Sequence, residues 1–416
     1  MSFNFAYLSG GKLYLKLGRA TVQAIASEFG HAAQQRGFEL QRRNGWKQKN
    51  LSPNFMPNGS SRNVQQQESR VETSAPILPV AVQGVCPTGA DRLLYTLAAG
   101  DIGGIFTLER FGTIDLNGTS PIKQQQKTKE KRLFHSADLK FDRLDFHPDY
   151  QLIACATIGK DGTANIATMP VNAVQLEQVT EGDSIDLAPK WVPGFRKAIV
   201  FQSAGISRDS RGQIVEQRHS TIEQLDLDRQ EVITLASDPK YDLLSPQMAA
   251  DGTLYYIRRP YRSLRQPMPS QLLTGLLLTP IRLLRAIGEW LNLFTRSHTG
   301  KSLLPLPQLH RSKIQQMFLG RLVDVGTQIT RNRRFGDADS PALVPRSWEL
   351  IEQYPHREPK TIGRGVLAFD VGASGQLIYS NGSAVYGVLP GGVAQRLVVD
   401  RPIDQVAILD RDNHLN

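Results

Sequence analysis

The chain has 416 residues, with 49 Lys and Arg against 39 Asp and Glu, a net charge of +10. An apolar fraction of 40% excludes wholesale disorder, and the length allows about two to four ordinary domains or one large repeat structure. The two cysteines, Cys86 and Cys155, are too few for a disulfide scaffold, fit a reducing compartment and lie in apolar strand-like runs as structural thiols.

Residues Met1–Leu17 lack the basic start, continuous apolar core and cleavage site of a signal peptide, so a cytoplasmic protein is expected. Within and after them, Phe5–Leu8, Leu13–Leu17 and Val22–Ala26 read as three strands, the first pair joined by Gly10-Gly11. Ser27 opens a helical pattern that runs to Arg43, with Phe29, Ala32, Ala33 and Arg36 on one side. From Asn50 to Pro79 the composition is that of a Ser/Asn/Gln/Pro linker.

A short pattern then recurs: apolar strand, turn dipeptide, second apolar strand. Val80–Val85 and Leu93–Leu97 flank Thr88-Gly89. Phe141–Phe146 and Leu152–Ala156 flank His147-Pro148-Asp149. Ala188–Val192 and Ala198–Gln202 flank Pro193-Gly194. Leu243–Met248 and Leu254–Ile257 flank Asp251-Gly252, and Val366–Val371 and Leu377–Tyr379 flank Ser374-Gly375. Outer strands follow at Thr163–Met169 with Val174–Val179, Thr221–Leu225 with Val232–Leu235, and Ala384–Val388 with Ala394–Val398. Four strands in each unit of about 40–60 residues is the signature of a propeller blade. Gln405–Leu409 is a lone inner strand at the chain's end, and the first three strands lack one. Together they complete a sixth blade, so the fold class expected is an all-β six-bladed propeller closed by its N- and C-terminal strands.

Certain stretches carry a family resemblance: Thr180–Asp183, Ala188–Gly194 (APKWVPG), Val200–Gly205, Tyr255–Tyr261 (YYIRRPY), Val344–Leu350 (VPRSWEL) and Tyr379–Tyr386 (YSNGSAVY). In these the chain resembles TolB-like six-bladed propeller proteins of bacteria and cyanobacteria. The resemblance extends over nearly the whole chain and implies a fold without an activity.

The fourth blade is interrupted between Ile257 and Trp348. Residues 258–334 hold 14 Lys and Arg against Glu289 and Asp324, a charge of +12 that leaves −2 for the rest of the chain. Such a local positive field attracts acidic or phosphate-bearing partners. Within it, Leu273, Leu277, Ile281, Leu284, Ile287, Leu291 and Phe294 recur at helical spacing, Leu272, Leu276, Leu283 and Trp290 widen the stripe, Pro280 kinks or divides the helix, and Arg282, Arg285 and Glu289 lie to one side. This composition predicts an interfacial helix docking on an anionic membrane or a protein partner, with Leu273, Leu277, Ile281, Arg282, Leu284, Arg285, Trp290, Leu291 and Phe294 in contact. The alternative is packing on the propeller or on a second helix at Ser312–Gln328. No run of about 18 uncharged apolar residues exists to span a bilayer. The organisation expected is therefore 1–26, strands completing the last blade; 27–79, helix and linker; 80–257, propeller; 258–342, basic helical insertion; 343–416, remaining blades.

Nucleophile elbows, Walker A loops, HExxH and zinc spacings are missing from the sequence, so no catalytic residue, metal or cofactor is expected. Asp226-x-Asp228-x-x-Glu231 reads as a turn. A ligand pocket at one rim is the remaining candidate, from Gln202, Ser203 and Arg208, Arg258, Arg259 and Tyr261, and Asn381 and Ser383, with a phosphate or carboxylate suiting the arginines. The leading expectation is a non-catalytic scaffold, cytoplasmic and peripheral on the inner membrane, with an unidentified protein partner or anionic surface. Alternatives are a lactonase- or hydrolase-type enzyme using inward carboxylates such as Asp145 and Asp186, and nucleic-acid binding through the insertion. The latter lacks aromatics for base stacking.

Overall fold

The computed structural model describes residues 3–18, 20–49, 80–89, 91–100, 102–109, 129–194, 196–263 and 315–409. The apolar stripe at 270–294, its contact residues and the linker at 50–79 lie outside them.

The chain is mostly β, built from antiparallel groups of four strands. The first holds β4 (Val80–Gly89), β5 (Arg92–Ala99), β6 (Ile102–Glu109) and β7 (Lys129–Ser136). The second holds β8 (Lys140–His147), β9 (Leu152–Ile158), β10 (Ala164–Pro170) and the two-residue β11 (Glu177–Gln178). In the third, β12 (Ser184–Trp191), β13 (Ala198–Arg208), β15 (Thr221–Asp226) and β16 (Glu231–Ala236) pair in turn, and β14 (Ile214–Gln217) joins the far end of β13. A parallel pair, Ala164 with Ile185, connects the second and third groups. The fourth holds β17 (Tyr241–Met248), β18 (Leu254–Pro260), β21 (Glu349–Gln353) and β22 (Lys360–Arg364). The fifth is β23 (Ala368–Val371), β24 (Leu377–Ser380), β25 (Ala384–Val388) and β26 (Gln395–Val399). Finally β27 (Ile403–Ile408) pairs antiparallel with β1 (Phe5–Ser9), followed by β2 (Lys12–Lys16) and β3 (Gln23–Ile25).

The cores lie between consecutive groups, and strand alternation makes this possible. Along β1, Phe5 and Tyr7 pack with Ile378, Val385 and Ile408, while Ala6 and Leu8 face Val82, Leu93 and Leu97. A strand with both faces covered has no reason to alternate apolar with polar, and all five residues of β1 are buried. Each fully buried large apolar side chain contributes about 1.5–3 kcal/mol.

Helix α1 (Glu28–Lys49) starts where Ser27 Oγ accepts the Gly30 N–H at 3.0 Å, and Phe29 packs its ring 5.1 Å from that of Phe106. Among the described residues no helix is long and apolar enough to cross a membrane.

Within the helix expected over Ser312–Gln328, residues 315–324 form a hairpin instead. β19 (Gln315–Phe318) and β20 (Arg321–Asp324) are joined by Leu319-Gly320, both at positive φ (47° and 73°), and α2 (Val325–Asn332) follows, capped by Asp324. The reason is which residues find a core. Phe318 and Val323, on one face of the hairpin, pack with Trp348 and Leu367, while Met317 and Leu322 remain exposed on the other.

Candidate functional site: the cavity between the first strands

The first strands of the groups, β4, β8, β12, β17, β23 and β27, all contribute residues to one cavity. Three of them carry the same backbone irregularity at corresponding positions. Arg143, Ala188 and Ser245 have φ of 25°, 54° and 52°, each beside an irregularity in pairing and each lining the cavity. Such a bulge turns the strand and re-aims the side chains that follow it. Two residues further on in each strand come Asp145, Lys190 and Gln247.

Polar side chains then pass from each group to the next. Gln405 Nε2 donates to the Val85 carbonyl at 3.2 Å, and Cys86 Sγ lies 3.5 Å from Asp145 Oδ1. Asp145 Oδ2 accepts the Trp191 N–H at 2.9 Å, and Gln202 Oε1 accepts that of Ser245 at 2.8 Å. Gln247 donates to Phe369 O at 3.2 Å and accepts from Val371 N–H at 3.0 Å, as a strand neighbour would. Asp370 Oδ2 accepts the Ile408 N–H at 2.8 Å. Buried polar groups satisfied in this way rigidify a core.

Two basic side chains line the cavity, Lys190 and Arg143, and each has carboxylates beside it. Lys190 Nζ sits 3.4 Å from Asp145 Oδ1 and 3.5 Å from Asp370 Oδ1. Arg143 reaches the Ser245 hydroxyl at 3.0 Å and stands near Asp142 and Asp404. Burial pushes the Asp404 carboxyl up to about 6, against the pull of Arg143, and raises Asp142 as well. The remaining space is about 20 Å³, room for a water molecule rather than a substrate. Among the described residues no group of three or more His, Cys, Asp or Glu is placed to hold a metal ion.

Each rim candidate is bonded within the protein. Ser203 Oγ donates to Asp186 Oδ1 at 2.7 Å, and burial raises the Asp186 carboxyl despite that bond. Arg208 spans Asp183, Asp161 and the Gly212 carbonyl. Arg258 meets Glu349 at 2.8 Å, and Arg259 meets Asp242 at 2.9 Å while stacking 5.1 Å over the Trp348 ring. Tyr261 Oη donates to Gln217 O at 2.6 Å. Asn381 donates to Ser340 O and accepts from the Ser383 and Ala384 N–H groups, and Ser383 Oγ donates to Pro341 O. None of these eight lines the cavity. In the Asp226 turn, Oδ1 accepts the Asp228 and Arg229 N–H groups at 3.1 Å.

Sequence reasoning passed over Arg143, Lys190, Gln247, Asp370 and Gln405. A signal for three groups was present: Asp145, Gln247 and Asp370 each lie seven residues before Leu152, Leu254 and Leu377, which open β9, β18 and β24.

Neither a protein-family model nor a curated protein matches the sequence. The solved structures that resemble it are TolB-like and related β-propeller proteins at low sequence identity. TolB from Acinetobacter baumannii is 9% identical, with a TM-score of 0.45, covering 97% of this chain and 65% of its own. Tricorn protease is 9% identical, with a TM-score of 0.42 and coverage of 97% and 34%. An oligogalacturonate lyase in complex with manganese is 10% identical, with a TM-score of 0.31 and coverage of 44% and 48%. This chain thus spans less than two thirds of the length of the TolB and tricorn structures.

Proposed function

We propose that the chain is a six-bladed TolB-like propeller, closed by pairing of β27 with β1, that works as a binding scaffold and performs no chemistry on its axis. The observation that carries this reading is the use made of the axial charges. A channel enzyme needs inward carboxylates with a substrate-sized space before them. Here Asp145 and Asp370 each hold a backbone N–H of the next first strand and share Lys190, and about 20 Å³ remains. Docking is assigned to the segment interrupting the fourth blade, whose +12 charge between 258 and 334 suits an anionic inner-leaflet surface.

Two assays test the parts separately. The purified chain is given lactone, ester and glycoside substrates with and without divalent metal, beside Asp145→Asn and Asp370→Asn. Turnover that either substitution abolishes would replace the scaffold by an enzyme. Flotation with neutral and anionic liposomes, beside a variant lacking 270–297, tests docking. Binding should need anionic lipid, weaken with salt and vanish with the deletion; protein left at the bottom of the gradient removes the membrane.

A further inference from the structure

We propose that Arg259, Arg321 and Arg262, at the end of the β17–β18 pair, form a binding site for a phosphate-class anion. The local charge does not balance. Asp242 Oδ2 receives both Arg259 Nε at 2.9 Å and Arg321 Nη2 at 3.1 Å, while Oδ1 accepts the Ser220 N–H at 3.2 Å. One carboxylate therefore faces two guanidiniums, −1 against +2, in a setting where the Asp242 and Arg259 side chains keep 6% and 7% of their surface. An excess charge that far from water calls for a counter-ion.

The hairpin turn creates the arrangement. It brings Arg321 against β18, where Nη1 donates to Pro260 O at 2.7 Å, and Arg259 Nη1 holds the Leu319 carbonyl at 2.8 Å. These bonds fix both planes. Arg259 Nη2 and Arg321 Nε have no hydrogen bond among the described residues, and the Arg321 side chain retains 18% of its surface. Arg262 is exposed and unpaired among the described residues, and its charge adds to the lowering that burial and Arg259 impose on Arg321. Lys240 is exposed beside them, since its carbonyl accepts the Tyr261 N–H. The nearby acid, Asp238, caps its own turn by accepting the Lys240 N–H at 2.9 Å. The sequence supplies little else: residues 264–314 hold seven Lys and Arg against Glu289. Two guanidiniums that share one carboxylate and each keep a nitrogen unbonded among the described residues suit an oxyanion as the missing counter-charge.

The site does not depend on membrane docking, because it is read in solution. The full chain is titrated with inorganic phosphate at constant ionic strength, with chloride as reference, by calorimetry and thermal unfolding. Saturable binding and a raised midpoint are expected, and Arg262→Gln, on an exposed residue, should weaken affinity about fivefold without altering the midpoint in chloride. Arg321→Lys keeps a charge on Asp242 but loses the fork, and should weaken phosphate further. A response to phosphate equal to that in chloride, or unchanged by Arg262→Gln, overturns the proposal. Vesicles of phosphatidylcholine with and without phosphatidylglycerol identify the source of the anion. Vesicle binding competed by phosphate and weakened by Arg262→Gln makes it a lipid headgroup. Phosphate binding without such competition makes it a soluble phosphate.

Discussion

Asp370 accepts the Ile408 N–H at 2.8 Å, so a side chain on β23 holds the strand through which the two ends of the chain pair. The bond is buried, and Asp370 is 3% exposed. Asp370→Ala should cost about 2–4 kcal/mol, since it orphans a buried N–H and removes a partner of Lys190. Asp370→Asn, which keeps a carbonyl to accept that bond, should cost less. Denaturant midpoints measure the loss, and hydrogen exchange should place it in 403–408 and 5–9. Equal stability of wild type and Ala variant would show that the pairing does not need this carboxylate.

Lys190 lies between Asp145 and Asp370, 3.4 and 3.5 Å from their carboxylate oxygens. Lys190→Met leaves two buried carboxylates without the ammonium between them and should cost about 3–5 kcal/mol. Combining it with Asp370→Asn removes one of the uncompensated charges, so the Lys190→Met loss should be smaller in that background. Denaturant midpoints measure both, and an equal loss in the two backgrounds would mean that Lys190 acts through packing alone.

The strand framework was legible because its punctuation is local. Asp251-Gly252 and Ser374-Gly375 sit between strands, with Gly252 and Gly375 at φ 82° and 77°. β6 and β7 went unread, because 110–128 separate them and β7, KEKRLFHS, is a mostly charged outer strand. The 315–324 hairpin reads as helix in the sequence because Ile314, Met317 and Phe318 satisfy a helical period, and a Leu-Gly turn is a weak stop. The rim candidates show what sequence lacks. Arg259 and Gln202 were placed at strand ends, but their partners Leu319 and Ser245 lie 60 and 43 residues away and come near only through the fold. The cavity residues are harder still to read, since Gln247 meets Val371 across 124 positions.

Phe318 anchors the hairpin by inserting into the cluster of Val344, Trp348 and Leu367, with 4% of its surface exposed. Phe318→Ala should cost about 3–5 kcal/mol if hairpin and groups unfold together. If the hairpin opens separately, the global midpoint should hold while 315–332 lose exchange protection. In that case phosphate affinity should fall too, because Arg321 is carried by the same turn. Opening of the hairpin with phosphate binding intact would separate the two.

Asp404 gives a pH dependence whose sign is fixed by its surroundings. Burial raises its carboxyl from 3.8 to about 6, and the neighbouring Asp142 adds to the rise while Arg143 opposes it. Between those values the folded chain binds the proton more tightly than the unfolded one. Stability from this group is thus complete below about pH 4, falls as pH rises towards 6, and changes no further above it. The loss amounts to about 3 kcal/mol at most. Other carboxylates shift in the opposite direction, Asp161 and Asp251 among them, so the whole-protein profile does not isolate the effect. The difference between wild type and Asp404→Asn does. The Asn variant, neutral at every pH, should gain on wild type from pH 4 to 6 and run parallel above. A difference that stays constant from pH 4 to 7 would mean that Asp404 ionises in the fold as readily as in water, and that Arg143 serves it as a full counter-ion.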